Sequence, residues 1–160
     1  MDGILSAFSL DRKVAIVTGC HKGLGQRMAT ALAEAGADIV GVSFSPEADE
    51  TRTKIEALGR RFVYISADLR STKPIGSIVQ TALDAFGRID ILVNNAGIIK
   101  RNDPLDFTEE EWDEVVSINL KTVFFLSQAV ARQFVAQKSP GKIISVASVL
   151  SFQGGIRVPS

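Results

Sequence analysis

Gly19, Gly23 and Gly25 stand between a β-branched run, KVAIVTG (13–19), and a segment with alanine and leucine at helical spacing, MATALAEAG (28–36). The stretch TGCHKGLG (18–25) has the spacing Gly-x-x-x-Gly-x-Gly. A strand-to-helix turn this rich in glycine can run tight and lets a pyrophosphate approach backbone N–H groups at the positive end of a helix. The alternative is a turn that uses glycine only for its shape. Four further signals follow. Asp68 and Leu69, in ADL (67–69), close a third apolar run. An aspartate there can accept from an adenine amino group or cap the helix that follows. NNAG (94–97) closes a fourth run. Two consecutive amides are costly at the end of an apolar strand unless bonded. Bonded, they can tie neighbouring strand ends together while Ala96 and Gly97 leave room for a ribose. Asn119 interrupts the helical period of VVSINLKTVFF, as a functional residue or as an exposed or locally bonded amide. Ser148 ends a fifth run, GKIISVAS (141–148), at the edge where open α/β sheets hold ligands.

A frame that gathers strand ends would bring these residues together. Strand-like runs occupy 13–19, 38–44, 61–69, 89–97 and 141–148. Helical segments separate them: 28–36 stopped by Gly36, 48–58 with Ile55 and Leu58 inward, and about 71–86 with Pro74 in its first turn. The last, 108–137, opens on a Thr108–Glu111 capping box and uses Trp112, Val115, Val116 and Leu120 for packing. Strands alternating with helices predict an α/β fold: a Rossmann-type, doubly wound parallel sheet with helices on both faces. Residues 1–160 read as a single dinucleotide-binding domain that lacks its C-terminal strands and helices.

Composition sets the outer bounds. At 160 residues, 46% hydrophobic and 22% charged, the chain can bury one core of moderate size. Eighteen basic residues balance eighteen acidic ones, so no long-range field favours nucleic acid or an anionic membrane. MDGILSAFSLDRK has no basic n-region, and no apolar run approaches the roughly 18 residues that span a bilayer. A lone Cys20 offers neither a disulfide nor a zinc set. The expectation is a cytoplasmic domain with no metal, nucleic-acid or membrane partner.

TGxxxGxG, Asp-Leu, NNAG, the helix asparagine and the strand-five serine stand in an order that resembles the short-chain dehydrogenase/reductase family. Within it, ILSAFSL, TGCHKGLGQ, DILVNNAGIIKRND and ASVLSFQGGIRVPS look like the branch of 2-dehydro-3-deoxy-D-gluconate 5-dehydrogenases, also called 2-deoxy-D-gluconate 3-dehydrogenases, of pectin and uronate breakdown. The resemblance implies reversible hydride transfer between a nicotinamide cofactor and a keto sugar acid. It implies that Ser148 bonds the reacting oxygen and that Asn119 kinks its helix and holds a relay water. It places Gly19, Gly23, Leu24 and Gly25 at the pyrophosphate, Asp68 and Leu69 at the adenine, and Asn95, Ala96 and Gly97 at the ribose.

At the end of strand two, Ser43 and Phe44 stand where an acid would hold the ribose 2′-OH of NAD. Lys22 stands where NADP-preferring relatives place a base, or is a solvated loop lysine. The branch favours NAD, with NADP open. Arg101 and Arg157 are candidates for a bidentate grip on the substrate carboxylate, with Lys100 weaker, and Gln153 for a hydroxyl; each is alternatively an ordinary surface residue. His21 reads as an exposed loop residue and Cys20 as packing. The family's acid/base motif, Tyr-x-x-x-Lys, does not occur; its expected position falls just past Ser160, and Tyr64 reads as core. These 160 residues alone are therefore expected to lack activity and to leave strand five as an open edge. The family pattern implies a homotetramer for the full-length protein, built through its long helices. Two competitors remain: a non-catalytic nucleotide-binding module, and another family activity such as a gluconate 5-dehydrogenase or 3-oxoacyl reductase.

Overall fold

The computed structural model describes residues 3–160; Met1 and Asp2, and with them the start of the segment read for a leader, lie outside it. Five strands, β1 (Val14–Thr18), β2 (Asp38–Ser43), β3 (Phe62–Ser66), β4 (Ile91–Asn94) and β5 (Lys142–Ser145), form one parallel sheet in the order β3-β2-β1-β4-β5. Between them run α1 (Gly23–Glu34), α2 (Asp49–Ala57), α3 (Ile75–Phe86), and then α4 (Glu109–Val116) and α5 (Val123–Ala136), joined without a break by a π-helical turn, Ser117–Thr122.

The alternation of side chains along each strand builds two cores. Val14 and Ile16 of β1 face one side, with Val40 and Leu92, against Ile78 and Ala82 of α3 and Leu126 and Val130 of α5. Ala15 and Val17 face the other, with Ile39 and Val93, against Ala29 and Ala33 of α1 and Ile55 of α2. Helices therefore cover both faces, as the alternation predicts. Small residues let α1 lie close: a Cβ on Gly25 would overlap the Gly19 carbonyl and the Asn95 amide.

The strands are shorter than the apolar runs. β3 stops at Ser66, and beyond it Asp68 accepts from the Arg70 N–H at 2.9 Å, closing a turn where β2 has ended. β4 keeps only four residues and β5 pairs with all of them, ending at Asn94–Ser145. Ser148 therefore lies beyond the strand rather than at its end. It caps a short 3-10 turn, Val149–Ser151, where its Oγ accepts from the Leu150 N–H at 3.2 Å. α3 begins only at Ile75, with Pro74 as its cap residue rather than in its first turn. Trp112 and Leu120 do not pack inward: they are 47% and 65% exposed, while Val115 is buried. Among the described residues no helix is long and apolar enough to cross a membrane.

Candidate functional site

The strand order reverses between β1 and β4, so their carboxyl ends diverge and open a cleft. It encloses ≈ 720 Å³. Its floor is built by hydrogen bonds between strand ends. Thr18, the last residue of β1, is buried; its Oγ1 accepts from the N–H groups of Asn95 and Ala96, both at 3.0 Å, and donates to the Val93 carbonyl at 3.3 Å. Asn95 returns the bond through Nδ2 to the Thr18 carbonyl at 3.0 Å. Asn94 turns the other way, donating to Ser127 on α5 at 3.0 Å and to Ser145 on β5 at 3.4 Å. The paired amides thus tie β1, β4 and β5, as their position implies.

Above this floor Gly19 adopts φ +68, a conformation glycine reaches without strain, and turns the chain into α1. Lys22, the cap residue, makes no side-chain cap. The first-turn amides of α1 are thus not taken by a side-chain cap, and Gly23, the first helical residue, lines the cleft at the positive end of the helix. A second layer steadies the turn: Thr51 of α2 donates to the Cys20 carbonyl at 2.9 Å, and Gln26 donates to Thr51 at 3.0 Å and to the His21 carbonyl at 3.3 Å.

The cleft walls gather Gly19, Lys22, Gly23, Phe44, Asp68, Leu69, Asn95, Ala96 and Gly97. Leu24 points to solvent at 68% exposure, and Gly25 sits behind the turn in packing contact with Asn95. Asn119 lies on the π-helical turn outside the lining. Its amide clasps one residue of the β4 loop, accepting from the Ile98 N–H at 3.0 Å and donating to the Ile98 carbonyl at 2.8 Å. Ser148, Arg101, Gln153 and Arg157 do not line the cleft and are exposed. Arg101 donates to the Ile156 carbonyl at 3.4 Å, and the Asn102 N–H to the Arg157 carbonyl at 3.1 Å. The two arginine-bearing segments therefore meet, beside the cleft.

Two groups of the wall are invisible to sequence reasoning. His21 is half-buried, its Nδ1 2.6 Å from Ser43 Oγ at the end of β2. Arg70 holds Asp68 with Nε, at 3.0 and 3.1 Å, and with one terminal nitrogen at 2.7 Å; it also bonds Glu114 of α4 at 3.2 Å and lies 5.4 Å from the centre of the Phe44 ring. Lys100 closes the chain onto Glu114 at 2.6 Å. Asp68 thus lines the cleft as an ion-paired carboxylate and is not the cap of α3. Arg70's hydrogen bonds keep its carboxyl below the usual range. Tyr64 is half-buried and donates to the Ser45 carbonyl at 2.6 Å; burial raises its pKa, the wrong direction for a proton-exchanging phenol.

Residues 13–160 match the model of the short chain dehydrogenase family. The chain belongs to that family. A 2-dehydro-3-deoxy-D-gluconate 5-dehydrogenase from Escherichia coli (strain K12) is 59% identical over 157 residues, which is 98% of this chain and 62% of that one. The chain thus spans about three-fifths of the length of this relative. A crystal structure from Agrobacterium tumefaciens with bound NADP, provisionally assigned as a 2-deoxy-D-gluconate 3-dehydrogenase, is 44% identical at a TM-score of 0.82, over 96% of this chain and 60% of that one. A carveol dehydrogenase from Mycobacterium avium in complex with NAD is 26% identical at a TM-score of 0.86, over 93% of this chain and 59% of that one.

Proposed function

We propose that the protein of which these residues form the nucleotide-binding part transfers a hydride between a nicotinamide cofactor and a keto sugar acid of the 2-dehydro-3-deoxy-D-gluconate or 2-deoxy-D-gluconate type. The observation that carries this reading is the 59% identity to the E. coli enzyme over nearly the whole chain, joined to a cleft at the sheet's switch point. The residues present fit a dinucleotide. Gly19 and Gly25 leave no space for a side chain between the turn and Asn95, and first-turn amides of α1 are available to a pyrophosphate. When bound, the nicotinamide supplies or accepts the hydride.

The chain's own residues position and polarise. Ser148 accepts from Leu150, which leaves its hydroxyl proton to donate to a substrate oxygen. Asn119 fixes the β4 loop through Ile98 at the edge of the cleft. Arg101, Arg157 and Gln153, on two segments that meet beside the cleft, supply the grip for a carboxylate and a hydroxyl. Gly19, Gly23, Leu24 and Gly25 serve the pyrophosphate, Asp68 and Leu69 the adenine, and Asn95, Ala96 and Gly97 the ribose. Tyr64 donates to the Ser45 carbonyl and does not line the cleft, so it is not assigned the proton exchange.

The deciding experiment follows nicotinamide absorbance with 2-dehydro-3-deoxy-D-gluconate and with a 3-oxoacyl thioester as competing substrates. Turnover of the sugar acid alone supports the reading; preference for the thioester replaces it with an acyl reductase. A preparation limited to these 160 residues should bind the cofactor without turning over.

A further inference from the structure

We propose that Glu111 and Glu114 of α4 are positioning residues: they hold the loop after β4 so that Arg101 and Arg157, and not Lys100, meet the substrate carboxylate; this rests on the sugar-acid reading. The loop lies along the helical run in the opposite sense, and every second residue of 98–102 is bonded to it. Asn119 clasps Ile98 at 3.0 and 2.8 Å. Glu114 takes Lys100, whose Nζ is 2.6 Å from its carboxylate. Glu111 takes Asn102, which donates through Nδ2 at 3.3 Å. Glu111 and Glu114 are three residues apart in α4 and so lie on one side of it. Glu111 is itself held in place, because the Thr108 N–H of the capping box donates to it at 3.0 Å.

These bonds sort the basic residues of the region. Lys100 is neutralised by Glu114, whereas Arg101 and Arg157 make no ion pair among the described residues. Their guanidinium groups stay open to a bidentate carboxylate. The same bonds carry both arginines. Position 101 lies between two anchored neighbours, and Arg101 donates to the Ile156 carbonyl at 3.4 Å. Asn102 holds Glu111 with its side chain and, with its N–H, the Arg157 carbonyl at 3.1 Å. The two glutamates therefore act on the substrate through the loop. A shift of about 1 Å in such a grip is enough to be felt in the kinetics. Lys100→Met is the cleaner probe of the loop, because it leaves Arg70 bonded to both Asp68 and Glu114.

Steady-state kinetics of the full-length protein with 2-dehydro-3-deoxy-D-gluconate, at saturating cofactor, separates KM from kcat. Arg101→Ala should raise KM about tenfold or more. Lys100→Met, Glu114→Gln and Asn102→Ala should each raise it about threefold or more, with the smaller part of the effect in kcat. Lys100→Arg, which keeps the ion pair, should stay near wild type. Lys100→Met combined with Glu114→Gln should match the worse single variant, and Glu114→Gln should cost clearly less in Arg101→Ala than in wild type. A merely structural glutamate would show neither result. A Lys100→Met cost that persists in full beside Glu114→Gln makes Lys100 a direct carboxylate ligand and overturns the proposal. A KM unmoved by Glu114→Gln overturns it too, as does a Glu114→Gln cost that is the same with Arg101 present or absent. If the sugar acid is not turned over, or Arg101→Ala and Arg157→Ala both leave KM unchanged, the sugar-acid reading falls and this proposal with it.

Discussion

Thr18 fixes more of the site's geometry than any of its charged groups. One hydroxyl serves two N–H groups and a carbonyl at the meeting point of β1 and β4, out of reach of water. Thr18→Val keeps the shape and strands two donors, so urea unfolding should show a loss of about 3 kcal/mol, with Thr18→Ser recovering most of it. Two residues further on, Cys20 is fully buried and burial pushes its thiol up to about 12. Thiolate is the reactive form, so iodoacetamide at neutral pH should leave the native protein unlabelled and modify Cys20 only after unfolding, as read by mass. The sequence presents Cys20 as packing, and the structure agrees.

At the scale of the element, Asp90 joins the starts of two strands. It is 4% exposed just before β4, and its carboxylate accepts from the Val14 N–H of β1 at 3.0 Å and from Arg88 at 2.5 and 2.8 Å, with Lys13 3.6 Å away. Burial acts to raise its pKa, but these partners together outweigh it and the net shift is downward. A depressed carboxylate contributes stability that is present above its unfolded pKa and is lost as pH falls through the folded value. Wild type should therefore lose urea resistance below about pH 4. Asp90→Asn should be about 1–2 kcal/mol weaker at neutral pH and show a flatter acid limb. Elements of this kind are legible in sequence because buried parallel strands are written as apolar runs. Their ends are not: β3 and β5 stop where a neighbour stops or a turn bonds itself, and neither event marks the run. The site divides the same way. The glycine turn and NNAG act through backbone and neighbouring strand ends, so type and spacing reveal them. His21–Ser43, 22 residues apart, and Arg70–Glu114, 44 apart, depend on which loops the sheet order makes neighbours.

Seen whole, the molecule has a side that its own sheet does not use. Along the continuous run from α4 to α5, Trp112, Leu120, Phe124, Phe125 and Val135 are exposed while Leu126 and Val130 fill the core. A net charge of zero opposes no self-association there. If copies assemble through this run, as the tetramer expectation holds, Phe124→Glu should lower the sedimenting mass toward that of a single chain without changing the far-UV circular dichroism. The π-helical turn inside the run also bears on the tolerance of the chain to changes in length. A π turn holds one residue more than the α-helix around it would need. Removing a single residue from 117–122 would let the helix close into a regular α form, and because the surplus residue is the one the π turn absorbs, α5 would stay nearly in phase. Leu126 and Val130 would keep their place against α3, while Asn119 would lose its grip on Ile98. A deletion in this stretch should therefore cost less stability in urea unfolding than a deletion within α5, where one residue turns the following face by about 100°.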